Sequence, residues 1–457
     1  MKTISGIRGT IGGAPDTGLT PIDIVKYTAA YASMILKKNP ENKKIVIGRD
    51  GRISGKMVRD LVASTLQAMG FDVIDLGLST TPTVEVAVTM ANASGGIILT
   101  ASHNPKEWNA LKLLDEKGEF ISAEAGATLL EIAQNDTYTF AGINDLGVIT
   151  EDDSFMQKHI DAILAHPLVD ATIIKNANFK VVVDGINSTG SIFVPALLKA
   201  LGVEEIVVLN GEVTGKFAHN PEPLAENLIE LSSLVEKSNA SLGIAVDPDV
   251  DRLCFVCEDG SMFGEEYTLV AVADYILQNK KGNTVSNMSS TRALRDVTEK
   301  HGGIYYPSAV GEVNVVSKMK EVNAVIGGEG NGGIIDPELH YGRDALVGIA
   351  LFLTHLAKYG KSIRSLRNTY PQYFISKNKM NLPEGVDLKN IFEQIKEKYK
   401  NKPINTEDGL KIEFDNDWVH LRPSNTEPII RIYSESNTET TAQNIANKII
   451  SDIKEIL

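Results

Sequence analysis

The chain has 457 residues, 43% hydrophobic and 23% charged, with a net charge of −14 at neutral pH. That length predicts about three domains with room for a small fourth, and the acidic balance argues against a general nucleic-acid binder, which shows a basic footprint. No apolar run reaches the ~18 residues that cross a bilayer and no signal-peptide pattern opens the chain, so a cytoplasmic protein binding neither membrane nor nucleic acid is expected.

Thr20-Pro21 reads as an N-cap followed by proline at the first helical position. Ile24, Tyr27, Tyr31 and Ile35 then form one apolar stripe at helical spacing. Strand 45–48, a helix through Met57, Leu61 and Leu66, strand 71–74, a short helix from Thr83 to Met90 and strand 96–99 follow. The same order recurs over 180–246 and over 284–326. Such a series predicts largely parallel sheets with right-handed crossovers. Each copy ends in an apolar strand and a polar loop: Thr100 to Pro105, Asp247 to Arg252, and Gly327 to Gly333. Loops at strand ends of open α/β sheets face the ligand crevice. After Tyr370 the rhythm changes to strands 410–414, 418–421 and 429–433, closed by a helix from Thr438.

The expected fold is therefore α/β, with three similar βαβαβ domains of mixed or parallel sheet and a smaller C-terminal α+β domain around a central cleft. The expected boundaries are 1–155, 156–259, 260–368 and 369–457.

Ser102, in Thr100-Ala101-Ser102-His103-Asn104-Pro105, suits a nucleophile or phosphate carrier, though an ordinary strand-exit turn uses the same residues. Adjacent side chains diverge, so His103 is not expected to act as the base of a Ser-His pair. Asp247-Pro248-Asp249-Val250-Asp251-Arg252 sets three carboxylates at alternate positions, the oxygen ligands a hard divalent cation wants. Arg252, where an EF-hand needs glycine, and flanking strands exclude that motif; an aspartyl nucleophile and an incidental acidic turn stay open beside a Mg²⁺ site. Arg252 suits a bidentate contact to a phosphate beside the metal. Arg422-Pro423-Ser424-Asn425-Thr426 is a donor-rich cradle for a phosphate, or a capped turn. Glycines around Glu329 and Asn331 suit sugar hydroxyls, although a glycine-rich turn is the commoner meaning. Cys254 and Cys257 have C-x-x-C spacing, but on a strand residues three apart face opposite sides, so both read as packing residues.

With Ser5-Gly6-Ile7-Arg8-Gly9 and Gly48-Arg49-Asp50, these motifs in this order resemble the α-D-phosphohexomutase superfamily over essentially the whole chain. The resemblance implies a phosphoserine at Ser102 and Mg²⁺ held by its phosphoryl oxygen with Asp247, Asp249 and Asp251. It implies a phosphate clamp of Arg422, Ser424, Asn425 and Thr426, and sugar contacts from Glu329 and Asn331. Lys112 falls where the family has a lysine proposed for acid–base work, and a metal with Arg8 and Arg252 nearby is expected to depress its pKa. Arg8 and His103 fall where relatives line the reacting phosphate. Many relatives end the sugar loop in a histidine, whereas Asn331-Gly332-Gly333 stands here, as in an archaeal-type branch commonly taken as phosphoglucosamine mutases. The implied activity interconverts glucosamine 6-phosphate and 1-phosphate through a sugar 1,6-bisphosphate, which also serves as activator. The alternatives are a phosphomannomutase/phosphoglucomutase acting on neutral hexose phosphates, a non-catalytic sugar-phosphate-binding protein and a metal-dependent phosphatase.

Overall fold

Four β-sheets packed against helices make up the computed structural model, which describes residues 2–3, 6–383, 385–424 and 429–457. The first sheet contains β1 (Lys2–Thr3), β2 (Gly6–Thr10), β3 (Lys44–Arg49), β4 (Asp72–Leu78), β5 (Gly95–Leu99), β6 (Trp108–Leu114) and β7 (Ile149–Glu151). Its spatial order is β1-β2-β6-β5-β3-β4-β7. The second holds β8 (Lys180–Asp184), β9 (Glu205–Leu209), β10 (Leu242–Val246) and β11 (Leu253–Cys257) in the order β11-β10-β8-β9. The third holds β12 (Asn283–Asn287), β13 (Tyr305–Ser308), β14 (Ala324–Glu329) and β15 (Gly333–Ile335) in the order β13-β12-β14-β15. The last is antiparallel throughout: β16 (Phe374–Asn381), β17 (Ile404–Asn405), β18 (Leu410–Glu413), β19 (Trp418–Pro423) and β20 (Ile429–Ser436), ordered β16-β20-β19-β18-β17.

One device repeats in the first three sheets. Three parallel strands lie side by side, and after the last of them the chain turns straight back as an antiparallel neighbour. The returns are β5 to β6, β10 to β11 and β14 to β15. An antiparallel return needs only a short loop, whereas a parallel one needs a crossover. The loops 100–105 and 247–252 singled out in the sequence are the first two returns, whereas the third spans only 330–332, because Gly327, Gly328 and Glu329 end β14 and Gly333 begins β15. Strands β5, β10 and β14 are buried along their whole length, as strands covered on both faces must be.

The helix Pro21–Lys38 starts where Thr20 predicts, with Asp23 closing a capping box: Thr20 N donates to Asp23 Oδ2 at 2.9 Å. Several elements were not picked out from the sequence. The helix Ala345–Tyr359 buries every residue from 345 to 356, so it carries no amphipathic stripe. Strand β16 and the helix Leu388–Lys398 fill the stretch where the repeat rhythm breaks off.

The second and third sheets share one apolar core, in which Phe255 stacks on Phe352 at 3.8 Å between centroids and Phe263 closes edge-on at 5.1 Å. Burying each such ring stabilises by about 1.5–3 kcal/mol. The first and last sheets keep cores of their own. Cys254 and Cys257 are free and buried in separate clusters on opposite faces of β11, as their spacing predicted. No helix among the described residues is long and apolar enough to cross a membrane.

Candidate active site

Ser102 sits at the first return with a left-handed backbone, φ 51°. That conformation is uncommon for a residue with a Cβ and collects at functional sites. Val250, φ 61°, does the same in the second return. The Ser102 loop is held from beneath by Arg52, a fully buried side chain. Its guanidinium donates to the carbonyls of Ser102, Asn104 (2.8 Å), Pro105 (2.7 Å) and Trp108 (3.0 Å). Asp50 fixes Arg52 Nε at 3.0 Å and accepts from Thr100 Oγ1 at 2.7 Å.

The second return meets the first. Ser102 Oγ donates to Asp247 Oδ2 at 2.6 Å, and Asp247 Oδ1 accepts from the backbone N–H groups of Asp251 and Arg252. Asp247, Asp249 and Asp251 are fully buried, with ligand oxygens all within 4.8 Å of one another. Burial, with Asp251 and Asp249 alongside, holds the Asp247 carboxyl well above the usual carboxylate range. For Asp251, burial pushes the same way, but Arg343 and Lys112 outweigh it and hold the carboxyl low. Asp249 Oδ1 and Asp251 Oδ1 are buried without a hydrogen-bond partner. Three inward carboxylates with two orphaned oxygens are the donor set a hard cation fits.

Lys112, on β6, reaches into this acidic loop, donating to Asp249 Oδ2 at 2.7 Å and Asp251 Oδ2 at 3.1 Å. The depression expected beside a bound cation does not arise from the protein's own groups. Burial favours the neutral amine, but Asp249 and Asp251 overturn that and raise its pKa above the ordinary lysine value. The expected divergence of Ser102 and His103 fails too. His103 Nδ1 lies 3.4 Å from Ser102 Oγ, because the left-handed serine turns both side chains to one side. Burial, then Arg252, press the His103 pKa well down, so the ring is neutral at pH 7. Arg8, on β2, has its pKa lowered by burial and by Arg252, with Asp249 acting against both. Arg252 Nη1 pairs with Glu222 at 2.7 Å.

The third return adds Glu329, which accepts from Asn287 at 2.8 Å and from Gly311 N at 3.1 Å. Asn331 caps its own turn by accepting from Gly333 N at 3.2 Å. At the last sheet Arg422 pairs with Asp408 at 2.7 Å, and Ser424 N donates to Ile429 O at 3.0 Å. Asn425 and Thr426 lie outside the described residues.

Descriptions of known families match in chain order. Phosphoglucomutase/phosphomannomutase alpha/beta/alpha domains I, II and III match residues 2–139, 157–260 and 264–373, and the C-terminal domain matches 380–451. The chain belongs to the phosphoglucomutase/phosphomannomutase family. A phosphoglucomutase/phosphomannomutase of Thermococcus kodakarensis is 36% identical over 455 residues, 98% of each chain. A phosphoglucosamine/phosphogalactosamine mutase of Sulfurisphaera tokodaii is 31% identical over 459 residues, 99% of this chain and 98% of that one. The crystal structure of a phosphoglucomutase/phosphomannomutase family protein from Burkholderia thailandensis matches with a TM-score of 0.86 and 25% identity, over 100% of this chain and 98% of that chain.

This member of the phosphoglucomutase/phosphomannomutase family is a phosphohexomutase, and its site contains a residue the sequence did not single out. Arg343 is buried and bridges Asp251 at 2.7 Å, Glu312 at 2.9 Å and Glu329 at 3.0 Å. It joins the acidic return of the second sheet to the glycine-rich return of the third. Arg52 was missed likewise. Each is a lone arginine in a loop, and apart from Asp50, two positions before Arg52, the partners lie 14 or more positions away, so local spacing does not betray its role.

Proposed function

We propose that the chain is a phosphoglucosamine mutase, interconverting glucosamine 6-phosphate and glucosamine 1-phosphate through phosphorylated Ser102 and a bisphosphorylated sugar. The observation that carries this is the placement of Ser102 Oγ against Asp247, inside a buried carboxylate cluster. A phosphate carrier needs a cation-binding neighbour more than it needs a catalytic relay.

In the first half-reaction a sugar hydroxyl oxygen bonds to phosphorus as the Ser102 Oγ–P bond breaks, and the hydroxyl proton passes to Ser102 Oγ. After the bisphosphate reorients, Ser102 Oγ takes the other phosphoryl group and returns a proton to the departing sugar oxygen. Neutral His103, 3.4 Å from Oγ, is placed to hold that proton. Lys112, donating to Asp249 and Asp251, is placed for acid–base work and puts positive charge beside the moving group. Arg8 and Arg252 line the reacting phosphate, while Glu329 and Asn331 take sugar hydroxyls. Arg422 and Ser424, with Asn425 and Thr426, clamp the phosphate that does not react. Asp247, Asp249 and Asp251 would hold Mg²⁺ together with a Ser102 phosphoryl oxygen, and the ion would neutralise charge on the transferred group. A sugar 1,6-bisphosphate would prime the unphosphorylated serine.

The name of the Sulfurisphaera tokodaii relative supports the amino-sugar substrate. That of the Thermococcus kodakarensis relative favours a second reading, a phosphomannomutase/phosphoglucomutase on neutral hexose phosphates. Turnover of glucosamine 1-phosphate, mannose 1-phosphate and glucose 1-phosphate decides between them. The highest kcat/KM is expected for glucosamine 1-phosphate, and a clear preference for either neutral sugar overturns the proposal.

A further inference from the structure

Behind the acidic loop, three segments converge on a second cluster. His159 comes from the helix Phe155–Leu164, His340 and Asp344 from the segment that leads into the helix Ala345–Tyr359, and Glu85 from the helix Thr81–Met90. His159 Nε2 lies 3.0 Å from Asp344 Oδ2, and His340 Nε2 lies 3.2 Å from the same oxygen. The two rings stand nearly perpendicular, 80° apart, with centroids 6.2 Å from each other. The three ligand atoms fall within 4.8 Å of one another. Asp344 Oδ1 is occupied elsewhere, capping the helix by accepting from Leu346 N at 2.8 Å, which leaves Oδ2 to the histidines.

The far nitrogens of both rings are also arranged. His159 Nδ1 is 3.0 Å from Thr83 Oγ1. His340 Nδ1 faces Glu85 Oε2 at 3.4 Å, off the geometry of a hydrogen bond. Glu85 is 1% exposed, and neither of its oxygens has a hydrogen-bond partner. An unpartnered buried carboxylate aimed at the back of an imidazole is the second partner that orients a metal-binding histidine and raises its basicity. Cations centred on two imidazole nitrogens and a carboxylate oxygen are of the zinc class, whereas Mg²⁺ prefers an all-oxygen shell.

We propose that His159 Nε2, His340 Nε2 and Asp344 Oδ2 form a second cation site, selective for a zinc-class ion, with Thr83 and Glu85 orienting the two histidines. The site is distinct from the Asp247, Asp249 and Asp251 cluster. Bound there, the ion ties the helix Phe155–Leu164 to the segment carrying Arg343, with Thr83 and Glu85 of the first sheet's unit as its support. It thereby pins Arg343, the neighbour of Asp344, in its contacts with Asp251 and Glu329.

The test loads the full chain with Zn²⁺ or Co²⁺, desalts it in excess Mg²⁺ and measures retained metal by elemental analysis. One equivalent of Zn²⁺ is expected, and a Co²⁺ form with visible d–d absorption. His340→Gln, at a position near the surface, should fall to background, and Asp249→Asn should retain the ion. Glu85→Gln should weaken affinity by about 10-fold or more. That variant leaves every ligand in place, so it carries the test if His340→Gln fails to fold. The proposal fails if the wild type retains no ion, if Asp249→Asn loses it, or if either Glu85→Gln or a folded His340→Gln binds as tightly as wild type.

Discussion

Ser102 Oγ donates a hydrogen bond to Asp247 Oδ2 across 2.6 Å, joining two loops 145 positions apart in the chain. The bond exists only while Oγ carries a proton. Once Oγ is esterified, a phosphate dianion faces Asp247, Asp249 and Asp251, and the added negative charge makes a cation at this place strongly favourable.

Removing the hydroxyl is the first check. Ser102→Ala should lose the single phosphate seen by intact mass after treatment with a sugar bisphosphate. It should also lose mutase turnover by at least about 10³-fold. The left-handed backbone at Ser102 is equally strained for alanine, so the stability lost should be confined to the hydrogen bond to Asp247, about 1–3 kcal/mol, and the chain should still fold. A variant that still accepts phosphate would remove Ser102 from the mechanism.

Cation binding should read out as stability. Adding Mg²⁺ is expected to raise the melting temperature of the wild type, and to raise it more when Ser102 is phosphorylated. Asp249→Asn takes away one of the orphaned carboxylate oxygens and should abolish most of that rise. Differential scanning calorimetry at fixed ionic strength checks both, and an unchanged rise in Asp249→Asn would exclude this loop as the Mg²⁺ site.

What the sequence disclosed of this site follows from the range of the interactions. Asp247, Asp249 and Asp251 announce themselves because the three carboxylates share one loop. Ser102 is visible because a polar loop follows an apolar strand. The contact of Lys112 with the carboxylates of a loop more than a hundred residues away has no local signature. Arg343 and Arg52 carry no local signature, and neither does the left-handed φ that brings His103 to Ser102. In the fold, the repeated strand–helix alternation was legible, whereas the helix Ala345–Tyr359 escaped notice because it is buried all round.

The phosphate clamp should reveal itself in binding more than in chemistry. Arg422 is held by Asp408 at 2.7 Å and belongs to the cradle assigned to the phosphate that does not react. A contact made equally in ground and transition states lowers KM without raising kcat. Arg422→Lys keeps the charge but loses the planar fork, so KM should rise about 10-fold or more while kcat moves little. A selective loss of kcat would instead place Arg422 at the reacting phosphate.

The seam between the third and fourth sheets should be sensitive to acid. His420, on β19, is buried; its Nδ1 lies 2.9 Å from Ser289 Oγ of the third unit and its Nε2 2.6 Å from Asp408 O. With Nε2 donating to that carbonyl, Nδ1 accepts from Ser289, and the ring is fully satisfied while neutral. Burial drives its pKa down to about 4, the Asp408 carbonyl opposing and Lys411 assisting. In the unfolded chain the imidazole has its ordinary value near 6.5. The folded state therefore holds its full advantage above pH 6.5 and loses it as pH falls toward 4, because only the unfolded chain takes up the proton in that window. The loss is on the order of 2–3 kcal/mol. His420→Gln titrates nowhere in this range and should flatten this part of the acid limb, at the cost of a lower stability at pH 7. Urea unfolding at pH 7 and at pH 5 for both proteins measures the difference. An equal loss in wild type and variant would show that His420 does not set the acid response of the seam.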